Sequence, residues 1–320
     1  MGPPSTLERV TTRMAACLAF VPGVLVLVLP AQACRDSARP ADPPVESRTA
    51  GERVSRAPDP VRVELRSTVA IIMSGSRFDL GILLDAAPGW HVTWRNPGDA
   101  GNPTTVAFDL PEGFVAGPLR WPVPERFTRP DGGIGYGYAG EVLLRTRVRA
   151  SNLDPPNDWR LAADVGWEAC ADVCVQGRAS LERYLPPSIS GTRLPDLVNG
   201  PLFEAWADQY PVAKLQAASQ VGITRLPADT EAPDPGSVIV AFDWAFQPTR
   251  VEWFPYSPTA AAYESASLDT DGSRTLLRLV TASPATGESG LLEGVLAYDD
   301  VHGMRRGLEI SVPLEAGPVP

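Results

Sequence analysis

A chain of 320 residues that is 44% hydrophobic and 21% charged has the composition of a globular protein, neither disordered throughout nor embedded in a membrane. Lys+Arg 28 against Asp+Glu 38 gives a formal net charge of -10, which leaves no reservoir of positive charge to neutralise phosphates. Nucleic acid is thereby excluded as the main partner.

Residues 1–33 read as a signal peptide. Arg9 and Arg13 precede an apolar stretch from Met14 to Leu29, and small residues follow at Ala31 and Ala33. Pro22 and Gly23 interrupt that stretch, which is shorter than the roughly 20 residues a spanning helix needs, so cleavage is expected and not a retained anchor. Cys34 stands directly after Ala-Gln-Ala, where a bacterial lipoprotein carries its lipid, although Ala31 and Gln32 depart from the usual lead-in. Lipidation of Cys34 therefore stays open, and it is the sole membrane attachment expected. The expected location is periplasmic or otherwise extracytoplasmic. Residues 34–60 are polar, rich in proline and free of aromatics, and read as a disordered tether.

From Val61 onward the chain shows short runs of alternating or β-branched character, among them VRVELRSTVAII, RFDLGILLDA, TTVAFDL, EVLLRTRVRA and RASLERYL, separated by Pro/Gly/Asp/Asn clusters. Such spacing predicts a β-sandwich over residues 61–190. A Pro/Gly/Ser-rich linker over 191–200 leads to one helical pattern, Pro201 to Lys214, limited by Pro211. A second β-sandwich is expected over 201–316, opened by that helix and carrying SVIVAFDWAF, RVEWFPY, LLEGVLAYDD and a hairpin signal at Asp271-Gly272. The expected fold class is all-β, two sandwich domains with a short helix between them.

Few motifs offer chemistry. Gly135, Gly137 and Gly140 satisfy G-x-G-x-x-G, but a strand-like run follows where dinucleotide binding needs a helix, so a turn-rich loop is expected instead. Asp269 and Asp271 lack the further oxygen ligands of a calcium loop. The two histidines, His91 and His302, lie far apart, which starves a serine triad or an imidazole-based metal site of parts. No cofactor and no metal are expected.

Cysteines remain. Cys17 is lost with the signal and Cys34 is lost or lipidated, which leaves Cys170 and Cys174 in WEACADVCVQG. An oxidising compartment permits their only pairing. A staple across so short a loop stabilises by only about 2 kcal/mol, zinc lacks further ligands, and copper(I) would need reduced thiolates. If the flanking runs are arms of a hairpin around Ala171, Asp172 and Val173, the cysteines are cross-strand neighbours able to bridge at an accessible tip. Redox exchange, a structural staple and copper(I) handling all stay open at this point.

The segments APGWHVTWRNPGDAGNPTTVAFDLPEGF, LRWPVPERFTRPDG, IGYGYAGEVLLR and CADVCVQGRASLE, in this order, resemble the N-terminal periplasmic domain of the thiol-disulfide interchange reductases, DsbD type and ScsB-like copper-tolerance variants. That resemblance implies an immunoglobulin-like sandwich whose cysteine pair is reduced by a membrane-embedded thiol reductase and passes electrons to a periplasmic disulfide isomerase or thioredoxin-like protein. It assigns Cys174 the mixed disulfide with the downstream partner and Cys170 its resolution, with no bound cofactor. Asp172 stands where the ScsB-like pattern has glutamate, and an acid beside a thiol modulates its reactivity. Trp167 is expected either to shield the pair or to fill the core. Trp90, His91, Trp94, Asn96, Pro97 and Asp99 are expected to build core and turn.

Four departures stand out. Gln176 replaces the family's proline after the second cysteine, and Thr93 replaces its tyrosine. No eight-helix membrane segment follows, nor a closing C-x-x-C domain, so the electron source is expected on another chain. The leading expectation is an exported electron relay, a component of protein-disulfide reduction. A non-enzymatic adaptor with a structural disulfide, or a copper(I)-handling module, is the alternative.

Overall fold

The computed structural model describes residues 59–151, 158–188, 194–196, 199–213, 220–226, 237–256, 265–280 and 291–313. The signal peptide, Cys34 and all but the end of the tether lie outside the described residues.

Ten strands form the first half: β1 (Val61–Ser67), β2 (Arg77–Ala86), β3 (His91–Gly98), β4 (Thr105–Asp109), β5 (Phe114–Ala116), β6 (Glu125–Thr128), β7 (Ile134–Ala139), β8 (Glu141–Ala150), β9 (Trp159–Cys170) and β10 (Cys174–Leu185). They make a four-stranded sheet of order β1-β2-β8-β5 and a six-stranded sheet of order β10-β9-β3-β7-β6, with β4 also paired to β9. Alternation decides the layers. In β2, Phe78, Leu80, Ile82 and Leu84 point into the core against Trp94, Leu144 and Leu161, all less than 2% exposed. The opposite face of the same sheet is not left bare, because Leu83 and Leu143 are covered by Phe203.

Phe203 belongs to the helix α1 (Asn199–Ala205). The helix is shorter than the Pro201 to Lys214 stretch the sequence predicts: it gives way to one 3-10 turn, Ala207–Gln209, and at Pro211 the chain has left the helix. Pro211 has no N–H to continue it. Tyr210 turns inward instead, 2% exposed, and its hydroxyl donates to the Leu143 carbonyl at 2.8 Å. Lys214 lies outside the described residues.

Eight strands follow: β11 (Val212–Ala213), β12 (Val221–Leu226), β13 (Ser237–Trp244), β14 (Thr249–Pro255), β15 (Ser265–Asp271), β16 (Arg274–Val280), β17 (Leu291–Asp299) and β18 (Arg305–Pro313). Their sheets have the orders β11-β18-β17-β14 and β12-β13-β16-β15. Asp271-Gly272 does turn β15 into β16, with Gly272 at φ 58°. Trp253, Leu296 and Tyr298 face the core between these two sheets, whereas Phe254, Val295 and Ala297 face the core of the first sandwich. A sheet covered on both sides needs apolar residues at consecutive positions, which is why WFPY and GVLAY do not alternate. The two sandwiches lie in one compact unit, Arg56–Pro320.

The turn-rich loop expected at the glycine triplet is corrected. Gly135 and Gly137 lie within β7, and only Gly140, at φ 63°, makes a turn. The glycines are there because their side-chain space is taken: a Cβ on Gly135 would come within 2.3 Å of the Phe127 ring of β6, and one on Gly137 would run into the Val92 carbonyl oxygen of β3. Gly177 of β10 leaves similar room for Trp167, whose indole a Cβ would meet at 2.3 Å. Gly177→Ala is therefore expected to displace a buried tryptophan and to destabilise the fold by about 1 to 3 kcal/mol, read as a lowered urea midpoint. An unchanged midpoint would show that Trp167 is free to move.

Candidate functional site

β9 and β10 pair antiparallel in unbroken register from Trp159 opposite Leu185 to Cys170 opposite Cys174. Ala171, Asp172 and Val173 form the tip, closed by the Ala171 N–H donating to the Val173 carbonyl at 2.9 Å. Opposed residues share a face, and here the two sulfurs are joined in a disulfide with Cα atoms 4.1 Å apart. The two cysteines differ in exposure. Cys170 is 1% exposed, whereas Cys174 is half-buried and the neighbouring Val173 is 57% exposed.

Strand periodicity also separates the disulfide from Trp167. Leu161, Ala163, Val165, Trp167 and Ala169 point into the sandwich core, so Glu168 and Cys170 take the outer face. Trp167, 4% exposed, thus fills the core and does not lie over the sulfurs. Asp172 sits exposed at the tip.

The charges nearest the buried sulfur come from elsewhere. Arg129, in the turn after β6, places Nη1 3.7 Å from Cys170 Sγ and donates to Glu168 Oε1 at 3.1 Å. Glu168 Oε1 is in turn 3.7 Å from the same sulfur. Its other oxygen accepts from the Asn102 N–H at 3.3 Å and from Asn102 Nδ2 at 3.1 Å. Arg129 and Glu168 are 7% and 5% exposed. Arg129 Nε lies 3.5 Å from Asp131 Oδ2, and the Asp131 carboxyl is held below its usual range by the Gly133 N–H first and by Arg129 after it. Glu168, Cys170 and Cys174 bring three ligand-type atoms within 4.8 Å of one another, but sulfurs joined to each other have no thiolate to give a metal.

The end of β3 and the loop that follows it, which together carry the NPGD segment, close over the Arg129–Glu168 pair. Asp99 Oδ2 accepts from the Ile134 N–H at 2.8 Å, and Gly98 and Gly101 take φ of 96° and 99°. Gly101 leaves no space for a side chain: a Cβ there would lie 2.3 Å from Glu168 Oε1 and 2.7 Å from Arg129 Nη1. The Thr93 hydroxyl, fully buried, is within 2.8 Å of the Asn102 carbonyl and 3.2 Å of the Glu168 carbonyl. The residue that stands in for the family's tyrosine therefore ties the loop to β9. Gln176, where the family has proline, continues the ladder opposite Glu168.

His91 pairs in register with Cys170, stacks on Phe127 at 4.6 Å and lies 3.7 Å from Glu125 Oε1. His302 is exposed in the turn between β17 and β18. Trp94 and Asn96 are 0% and 1% exposed, and Asn96 Nδ2 donates to the Pro255 carbonyl at 2.9 Å. The sequence reading missed Arg129, Glu168 and Asn102. Glu168 alone left a local signal, since a residue two before Cys170 on a strand shares its face.

Fold and site together define an immunoglobulin-like β-sandwich protein that carries a disulfide at the tip of an edge hairpin. Residues 58–186 match the family model described as thiol:disulfide interchange protein DsbD, N-terminal. That part of the chain is similar to the N-terminal domain of DsbD-type thiol:disulfide interchange proteins. The N-terminal periplasmic domain of ScsB from Proteus mirabilis is similar in structure, with a TM-score of 0.55 at 16% identity over 79% of this chain and 93% of that one. The periplasmic chaperone SfaE covers 78% of this chain and 98% of its own at 12% identity, but its TM-score of 0.19 carries no argument. No curated protein sequence matches the chain. Among the described residues no helix is long and apolar enough to cross a membrane.

Proposed function

We propose that this is an exported thiol-disulfide exchange protein, an electron relay whose Cys170/Cys174 couple alternates between disulfide and dithiol. The observation that carries the reading is the unequal exposure of the two sulfurs' residues at a hairpin tip. Exchange needs a thiolate to attack one sulfur in line with the S–S bond, and the half-buried Cys174 offers that approach while Cys170 is sealed. An incoming partner thiolate bonds to Cys174 Sγ and Cys170 leaves as thiolate; in the reverse direction Cys174 attacks a partner disulfide and Cys170 resolves the product.

Electrons would arrive from a membrane-embedded thiol reductase and pass to a periplasmic disulfide isomerase or thioredoxin-like protein. The export signal over 1–33 and the periplasmic origin of the similar ScsB domain support that compartment. A lipid on Cys34 would hold the body at the membrane through the 34–60 tether. The relay pair belongs to the domain over 61–190, and the sandwich over 201–316 braces it.

A structural clamp is the competing role, and the reduction potential separates the two. Equilibration with a glutathione or dithiothreitol series, read by thiol alkylation, is expected to give a potential above the roughly -300 mV of inert bridges. A pair that stays oxidised until denatured would overturn the relay.

A further inference from the structure

We infer that Glu168 is the proton acceptor for Cys170 during resolution, held in place by Arg129 and Asn102; this rests on the exchange reading above. Cys170 is buried at 1% exposure, so its thiol has no ready access to solvent base when it must become a nucleophile. Glu168 Oε1 lies 3.7 Å from its sulfur, and it is the carboxylate oxygen left facing the sulfur once Asn102 has engaged Oε2. Arg129 Nη1, bonded to that same Oε1 at 3.1 Å, faces the sulfur at 3.7 Å and supplies positive charge where the thiolate forms. A buried ion pair is by itself a weak source of stability, and this one is aimed at the reacting atom.

The step balances. In the mixed disulfide at Cys174, the Cys170 S–H proton passes to Glu168 Oε1, and the Cys170 thiolate attacks Cys174 Sγ. The Cys170–Cys174 bond forms, the bond from Cys174 to the partner sulfur breaks, and the partner leaves as a thiolate carrying the electron pair. Two electrons have then moved from the protein dithiol to the partner disulfide. In the opposite direction Cys170 is the leaving group and Glu168 returns the proton.

The full chain, reduced and mixed with 5,5′-dithiobis(2-nitrobenzoate), tests this. Attack by Cys174 releases one thionitrobenzoate in a concentration-dependent phase, and resolution by Cys170 releases a second in a unimolecular phase. With a built-in base the second phase of the wild-type protein is expected to change by less than about threefold between pH 6 and 8. In Glu168→Gln it is expected to slow at least about tenfold at pH 6.5 and to rise about tenfold per pH unit, while the amplitude of the first phase persists. Glu168→Asp should restore part of the rate, which a purely structural role would not require.

Should Glu168→Gln fail to fold, the neutral pair Arg129→Met/Glu168→Met removes both charges at once and is expected to show the same steep pH dependence. A wild-type second phase that already rises tenfold per pH unit overturns the assignment, as does either folded variant with wild-type rate and pH profile. A wild-type protein that gives no first phase at all removes the exchange reading itself, and the assignment with it.

Discussion

Replacing Cys170 by serine is expected to trap the protein as a long-lived mixed disulfide through Cys174. Reduced Cys170→Ser mixed with glutathione disulfide should accumulate a glutathione adduct on Cys174, visible by mass spectrometry. Its release should be at least about a thousandfold slower than in the wild type, because an intramolecular thiol works at an effective concentration that no external thiol reaches. Cys174→Ser should accumulate almost no adduct, since the remaining sulfur belongs to a residue only 1% exposed. The asymmetry is the informative part. A simple accessible dithiol would give two equivalent single variants, and a clamp would give two inert ones. Equal adduct formation by the two variants would defeat the assignment of Cys174 as the outward sulfur.

The largest effect on stability is expected at Trp94. Its side chain on β3 is fully buried and meets Phe254 edge-on at 6.2 Å and Tyr256 at 5.8 Å. Both partners come from the second half of the chain, so one indole packs the first sandwich and receives β14 at the same time. Trp94→Ala is expected to cost about 3 to 5 kcal/mol through lost burial and the cavity left behind. Urea denaturation followed by near-ultraviolet circular dichroism measures it. A loss below about 1 kcal/mol would mean that the two halves hold together without this contact.

Much of this architecture was legible in the sequence wherever the information was local. Period-two runs identify β2, β8 and β10, and Asp271-Gly272 announces its hairpin because the turn itself demands a residue tolerant of positive φ. The cysteine hairpin was equally local, with its partners only four positions apart in sequence. Distance is what hid the rest. Arg129 reaches Cys170 across 41 positions and Asn102 reaches Glu168 across 66, and no spacing rule joins such pairs. The glycines of β7 read as loop because the groups that occupy their missing side-chain volume, the Phe127 ring and the Val92 carbonyl, arrive from β6 and β3. The helix was overdrawn because its apolar pattern continues past Ala205 in Tyr210 and Val212, which serve different neighbours.

Gly101 carries no reactive group, yet any larger residue there would evict a carboxylate from its seat beside the buried sulfur. A single hydrogen atom in place of a methyl thus governs how close an acid can sit to the thiol chemistry. Drift at this silent-looking position would retune the proton path without altering a cysteine, an acid or a base.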